Sequence, residues 1–403
     1  MKSAAHVLPR GLRACLATLL TAWLAACAAP QATSVSNELP FEQAVATATD
    51  GLVSQTQTLP AFLAKVESKL AKRGVVVDPF LDSSTGQQTG ATKLFEKRVT
   101  DRLASTYDVF DLLPFQSANL SKAQYLLTGT MTRAQGEHAR NTFKLNLALT
   151  ELRSGKVVAQ ASAQAQSAGL DNNPLPYYRD SPVLVKDQVL EGYIRSTATA
   201  PGQKADAFYL DRIAAATVIN EATNLYNSER YQEALGQYRS ALATPAGEQL
   251  RVLNGIYLAN VKLGRTAEAE TAFGKVVAMG IAYNELGVKF LFNPGSTEFW
   301  SDTRISGAYG MWLRQIARES TAAKVCMNII GHTSRTGSEQ SNDSLSLQRA
   351  AYVKQRLTAE ATNLGPRTKA TGMGFRQNIV GSGSDNAVDA LDRRVEFKIV
   401  GCN

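Results

Sequence analysis

Apolar positions Leu59, Phe62, Leu63, Val66 and Leu70 recur at helical spacing, with Pro60 suited to a first turn, and predict a helix. Val75-Val76-Val77 then reads as a buried strand, Leu94 to Leu103 as a helix with Phe95, Val99 and Leu103 on one face, and Tyr107 to Leu113 as a second strand. Tyr125 to Thr130 is a third. Phe143, Leu145, Leu147 and Leu149 alternate with Lys144, Asn146, Ala148 and Thr150, the period of a half-buried strand, and Ser154-Gly155 supplies the turn into a returning strand at Val157. The pattern predicts an α/β unit ending in a hairpin. The polar loop Ser83 to Gly90 lacks a lysine and the spacing of a phosphate-binding loop, and reads as a surface connection.

Residues 171–205 hold Pro174, Pro176, Pro182 and Pro201 among polar residues and read as a linker with one helix in it. Beyond it, Ala222, Tyr226, Tyr231, Ala234, Tyr238 and Ala241 find partial counterparts in Tyr257, Leu263, Ala269, Phe273 and Val276, with Ala234 and Ala269 35 residues apart. Gly264 fits the left-handed position that ends a helix. These helical pairs are similar to the tetratricopeptide repeat, in which small residues let helices approach and aromatics fill the gap. Two repeats need capping by flanking helices such as Phe208 to Thr217. The resemblance implies a concave protein-binding surface; a helical spacer whose aromatics are all core is the other reading.

Farther on, Val288 to Phe292 reads as a strand, Ile305 to Ile316 as a helix, Lys324 to Ile330 as a strand, Leu345 to Leu357 as a helix and Arg394 to Val400 as a final strand. Leu345, Arg349 and Val353 are four apart and share one helix face with apolar neighbours. An arginine there is not freely solvated, and its burial without an anion is costly.

Charge changes the picture little. The formal net charge is +8 over 403 residues, and removal of residues 1–26, with Lys2, Arg10 and Arg13 and no acid, leaves +5 over 377. So mild a balance gives no sign of a nucleic-acid partner and suits a protein beside an anionic wall. The amino terminus changes it more. Lys2, Arg10 and Arg13 form a positive region, Ala14 to Ala26 an apolar run too short to span a bilayer, and Leu24-Ala25-Ala26-Cys27 a motif that resembles a bacterial lipobox. The resemblance implies an acylated Cys27 and an outer-membrane lipoprotein facing the periplasm, since Ala28 follows and no Asp suggests inner-membrane retention. An ordinary cleaved signal with a chance cysteine is the alternative. Residues 27–40, rich in Ala, Ser, Thr and Gln, read as a tether.

The order of elements over residues 41–170, with Val75-Val76-Val77-Asp78-Pro79-Phe80, Tyr125-Leu126-Leu127-Thr128-Gly129-Thr130 and the Leu152 to Val158 hairpin, looks like the FlgO, CsgG and LpoB group of periplasmic lipoprotein domains. That is a likeness of fold, and it leaves function open. At the other end, Ile330-Gly331-His332-Thr333-Ser334-Arg335-Thr336-Gly337, Asn342, Leu345-Ser346-Leu347-Gln348-Arg349-Ala350 and Arg393-Arg394-Val395-Glu396-Phe397 resemble the OmpA-like peptidoglycan-binding domain. The expected chain is therefore multidomain α/β plus α: an α/β sandwich-like domain (41–170), the linker, tetratricopeptide-like helical repeats (206–282) and an OmpA-like βαβαβ-type domain (283–403).

The OmpA-like resemblance implies a site. Arg349 matches the arginine that grips the free carboxylate of diaminopimelate in a peptidoglycan stem peptide, a planar match for a guanidinium fork; an internal ion pair is the bland alternative. Thr336 and Asn342 match contact positions, and Arg393 either contacts the ligand or pairs with Asp392. The family's Asp, which answers the ligand's ammonium, is Ser334 here. Charged hydrogen bonds contribute about 1.5–3 kcal/mol and neutral ones about 0.5–1.5, so affinity is expected to fall about tenfold unless Asp343 or Glu339 substitutes.

Of four cysteines, Cys15 leaves with the leader and Cys27 would be acylated, which leaves Cys326 and Cys402 as a disulfide candidate in an oxidising space, or as two buried thiols. His138 and His332 are the histidines left after processing, and no Ser/His/Asp constellation, metal-ligand cluster or nucleotide loop stands out. No enzymatic activity and no cofactor are expected. The expected function is a lipid-anchored protein that associates non-covalently with peptidoglycan and scaffolds a periplasmic protein partner; the alternative is a regulatory or assembly lipoprotein with weak or no wall binding.

Overall fold

The computed structural model describes residues 38–57, 72–134, 142–293, 295–380, 383 and 388–402. The leader, Cys27, the tether up to residue 37, His138 and the expected Leu59 to Leu70 helix lie outside the described residues.

The first sheet has strands β1 (Arg73–Val77), β2 (Leu81–Asp82), β3 (Phe110–Leu113), β4 (Tyr125–Arg133), β5 (Thr142–Glu151) and β6 (Lys156–Gln166). Their order is β3-β1-β4-β5-β6, with β2 paired to β4. β1 runs parallel to β3 and β4, and the β4-β5-β6 portion is antiparallel. Side chains alternate across it: Val75 and Leu127 join the core beneath helices Phe41–Gln57 and Gly90–Thr106, while Val76 and Leu126 join a second core with Val189, Tyr193 and Tyr209. Two covered faces explain why β1 is a continuous run of valines and not an alternating one. The Phe41–Gln57 helix was not expected from the sequence, although Ala44, Val45, Ala48 and Leu52 form a buried helical stripe.

The second face is covered by the segment expected to be a linker. Residues 171–205 contain helices Pro176–Asp180 and Gln188–Ala198, and Tyr177, Tyr178, Val183, Val185, Val189, Leu190 and Tyr193 are all core residues. Its prolines stand at the ends of packed pieces: Pro176 opens the first helix and Pro201 lies in the turn after the second. This segment also corrects the reading of Ser83 to Gly90 as a surface connection. Thr85, Gln87 and Thr89 are buried under it, the Leu175 N–H donates to the Gln88 carbonyl at 3.0 Å, and the Ala91 N–H donates to that of Asp171.

Asp78, just past β1, is buried and accepts a 2.6 Å hydrogen bond from the Tyr209 hydroxyl. Burial pushes its carboxyl up to about 7 from an ordinary value of 3.8. A raised folded-state pKa means that this group's contribution to stability is fully present below about pH 3.8 and is lost as pH rises through about 7. Asp78→Asn, which keeps an acceptor for Tyr209, is expected to melt higher than wild type at pH 8, by about 5 °C, with the gap closing toward pH 4. Thermal unfolding across that range checks it; parallel pH profiles for the two proteins would refute it.

The helical pairs are Ile213–Asn227 with Tyr231–Leu242 and Leu250–Lys262 with Thr266–Ala282. Ala234 and Ala269 are buried at the helix contacts, and Gly264, with φ +70°, ends the third helix in the left-handed conformation. The helical pairs do not stand alone. Phe273 stacks on Trp312 at 5.7 Å and the Trp312 Nε1–H donates to the Tyr257 hydroxyl at 2.8 Å, so helix Tyr309–Ala322 of the next region covers the last helical pair. One hydrophobic core runs from Tyr177 through the helical pairs to Phe397. Two helical pairs bury little by themselves, and the shared core supplies further packing surface.

The second sheet contains β7 (Gly287–Val288), β8 (Cys326–Gly331), β9 (Thr368–Gly372) and β10 (Val395–Val400) in the order β7-β10-β8-β9. β8 and β9 are parallel; β10 is antiparallel to β8 and β7. The helix expected at Ile305 to Ile316 forms as two pieces, Thr303–Ser306 and Tyr309–Ala322, and the helix expected at Leu345 to Leu357 extends over Glu339–Glu360. β9, with the sequence TKATG, carries no apolar alternation and was not expected. The β8–β10 register sets Val400 opposite Cys326, and two residues later Cys402 forms a disulfide with Cys326, Cα to Cα 5.2 Å. The described residues fall in one compact unit that begins at Glu38, and none of their helices is long and apolar enough to cross a membrane.

Candidate functional site

The site grows from the end of β8. Gly331 is the last residue of the strand, and the Glu339–Glu360 helix passes so close over it that only glycine fits: a Cβ there would lie 2.1 Å from the Ser346 carbonyl oxygen. After it the chain turns sharply. The Thr333 N–H donates to the Gly374 carbonyl at 2.9 Å, and the Gly374 N–H returns to the Ser346 hydroxyl at 2.9 Å, so turn, helix and the loop after β9 are laced together.

Ser338 caps the helix by accepting from the Ser341 N–H at 3.2 Å. Asn342, on the first turn, is buried and its Nδ2–H groups donate to the carbonyls of Thr336 at 2.8 Å and Ser338 at 3.0 Å. The Ser334 and Thr336 hydroxyls lie 3.3 Å apart. Three of the sequence-derived candidates, Ser334, Thr336 and Asn342, therefore meet at one corner.

Arg349 lies two turns farther along the same buried face and is only 4% exposed. Its Nε–H donates to the Ser296 carbonyl at 3.1 Å and its Nη2–H to the Asn293 carbonyl at 3.3 Å, and the guanidinium sits 4.8 Å from the centre of the Phe292 ring. The segment after β7 thus arches over the guanidinium, a contact the sequence did not signal. Arg393 is half-buried in the bend before β10. Asp392 beside it accepts from the N–H groups of Ile379 and Val380 at 2.7 and 2.9 Å.

The second arginine of the pair has the more deeply buried role. Arg394 is 4% exposed and its Nε–H donates to the Glu396 carboxylate at 2.6 Å. Burial alone would raise the Glu396 carboxyl, but His332 and the Arg394 charge outweigh it and hold the group at about 2. Burial pushes the His332 imidazole down, so it is neutral at pH 7, and its Nε2 stands 3.6 Å from Glu396. Arg394 and Glu396 are two apart on a strand, and that spacing is the sequence signal that they share a face. The two carboxylates that stood as substitutes for the missing Asp, Asp343 and Glu339, are both engaged by Arg376, at 2.7 and 3.0 Å. Arg376 had no motif to betray it.

Chemically the corner offers an amide and hydroxyls, neutral hydrogen-bonding groups, and the Arg349 guanidinium lies two turns away on the same helix, held on the carbonyls of Asn293 and Ser296. Among the described residues no group of three or more His, Cys, Asp or Glu is placed to hold a metal ion.

Comparison with known families decides what this region is. Residues 291–390 form an OmpA-family domain. The matched stretch contains Ser334, Thr336, Asn342 and Arg349 and stops before Arg393. No curated protein matches the chain. Among solved structures, the peptidoglycan-associated lipoprotein from Burkholderia pseudomallei is 24% identical over 28% of this chain and 89% of its own, with a TM-score of 0.24. The periplasmic domain of Helicobacter pylori MotB is 20% identical over 29% of this chain and 74% of its own, TM-score 0.23. A putative MotB-like protein from Desulfovibrio vulgaris is 22% identical over 34% and 94%, TM-score 0.24.

Proposed function

We propose that this protein is a non-enzymatic outer-membrane lipoprotein, anchored through acylated Cys27, that holds peptidoglycan non-covalently and scaffolds a periplasmic protein partner. The observation that carries the wall half is a buried arginine, Arg349, on the same helix face as Asn342 inside the OmpA-family stretch. Its planar fork suits the free carboxylate of diaminopimelate, and Thr336 and Asn342 supply neutral hydrogen bonds. Co-sedimentation of the full chain with diaminopimelate-containing sacculi tests it, and a chain that stays in the supernatant would sink the wall reading.

Ser334 supplies no charge for the ligand's ammonium, and the carboxylates of Asp343 and Glu339 are tied to Arg376. That is the observation favouring a second reading, a regulatory or assembly lipoprotein whose wall binding is weak. Ser334→Asp is accordingly expected to tighten sacculus retention about tenfold. Unchanged retention would mean that another carboxylate already meets the ammonium.

A further inference from the structure

A crevice of about 560 Å³ opens at the carboxyl ends of β1 and β3, where Val77 and Leu113 form part of its lining. Its place follows from the topology. β1 and β3 are adjacent and parallel, but the Gly90–Thr106 helix that follows β1 packs on the face of Val75, whereas Phe115 and Leu120, which follow β3, pack on the opposite face with Val76. Chain that leaves neighbouring parallel strands toward opposite faces leaves a gap beyond their carboxyl ends, and open α/β sheets hold their ligands in such gaps. The volume falls within the roughly 300–1,000 Å³ of small-molecule clefts.

The walls indicate the chemistry of the occupant. The Ile213–Asn227 helix closes one side, held in place by the Ser117 and Thr217 hydroxyls, 2.6 Å apart, and by Asn227, whose Oδ1 accepts from the Tyr177 N–H at 2.8 Å. Asn220, Asn224 and Asn227 share one face of that helix and all line the crevice. The other side is charged. Glu96, half-buried on the Gly90–Thr106 helix, accepts from the Phe80 N–H through Oε2 at 3.0 Å, while its Oε1 has no partner among the described residues and is not shut off from solvent. Burial raises this carboxyl above its ordinary value, countered by the Phe80 N–H and by the charge of Lys93 one turn earlier. Lys93 also lines the crevice, is exposed, and is in no ion pair among the described residues. An anion and a cation whose Cβ atoms stand about 5–6 Å apart, both free to meet a ligand across from three amides, repel any occupant that carries one sign of charge alone.

We propose that this crevice binds a small zwitterion, a free amino acid or dipeptide, with its ammonium on Glu96 Oε1, its carboxylate on Lys93 and its remaining polar groups on the asparagine amides. Calorimetric titration of the full chain with alanyl-alanine tests it against the N-acetylated dipeptide, which lacks the ammonium, and the dipeptide amide, which lacks the carboxylate. Alanyl-alanine is expected to bind about tenfold or more tighter than either blocked form. Glu96→Gln keeps an acceptor for the Phe80 N–H and removes the charge. It is expected to bring alanyl-alanine down to the affinity of its acetylated form, with a melting temperature within a few degrees of wild type. Lys93→Met, at an exposed position, is expected to bring it down to that of the amide. Equal binding of free and blocked dipeptides by the wild-type chain would overturn the proposal, as would no binding of alanyl-alanine up to about 10 mM, unchanged affinity in both variants, or tighter binding of the uncharged sugar diacetylchitobiose than of alanyl-alanine. The comparison of free and blocked dipeptides needs the wild-type chain alone, so it decides the matter even where a variant fails to fold.

Discussion

Arg349→Ala is expected to remove most retention of the full chain on sacculi, by at least about thirtyfold, because loss of one partner of a desolvated charge pair costs about 2–5 kcal/mol. Alanine also removes the guanidinium's bonds to the carbonyls of Asn293 and Ser296 and its contact with Phe292. Some loss of stability therefore accompanies it. Arg349→Lys separates the two effects: an ammonium keeps the charge and one carbonyl contact but cannot present two parallel donors to a carboxylate. Retention by the lysine variant is expected to fall about tenfold or more while its melting temperature stays within a few degrees of wild type. If retention is unchanged in both variants while both lose stability, Arg349 is a strut for the 292–296 segment, and the wall reading loses its central residue.

The largest structural effect is expected at Gly331. An alanine Cβ there would meet the Ser346 carbonyl oxygen at 2.1 Å and the Ser346 carbonyl carbon at 3.0 Å, both backbone atoms. The helix cannot give way easily, since Ser346 also holds the Gly374 N–H, and at Gly372 on the neighbouring strand the approach is equally close, with no room for a Cβ beside the Leu347 nitrogen. Gly331→Ala is expected to cost several kcal/mol, lowering the melting temperature by about 5–10 °C. Gly236, exposed in the Tyr231–Leu242 helix with nothing within 4 Å of its would-be Cβ, is the control. Alanine there is expected to be neutral or to stabilise by up to about 1 kcal/mol. Thermal unfolding of the three proteins checks the contrast, and a Gly331→Ala protein that melts with wild type would show that the helix and strand can separate at little cost.

Legibility followed the range of the forces. The hairpin β5–β6 and the helix over Phe95, Val99 and Leu103 were readable because apolar residues recur in them at periods of two and 3.6, whereas β4 and β5 are buried along nearly their whole length. Arg349 was readable as buried for the same reason, from neighbours four residues away. β9 was not, because its neighbours on β8 and the long helix shape a strand that has no apolar pattern of its own. The 171–205 segment misled because proline was taken as a sign of exposed chain, when here it punctuates short packed pieces whose tyrosines and valines fill two cores.

By itself the sequence determined the β5–β6 hairpin, the turn after β8 and the apolar helix face that carries Arg349, and it set Ser334, Thr336, Asn342 and Arg349 on a common motif, since periodicity and turn chemistry act between near neighbours in the chain. Only the tertiary structure decided that Asn293 and Ser296 cover Arg349, that Arg376 occupies Asp343 and Glu339, that Arg394 pairs with Glu396, and that the helical pairs share a core with the carboxyl-terminal sheet. Those contacts join residues mostly tens of positions apart, and burial selects such partners by shape and charge in space, which local periodicity does not encode.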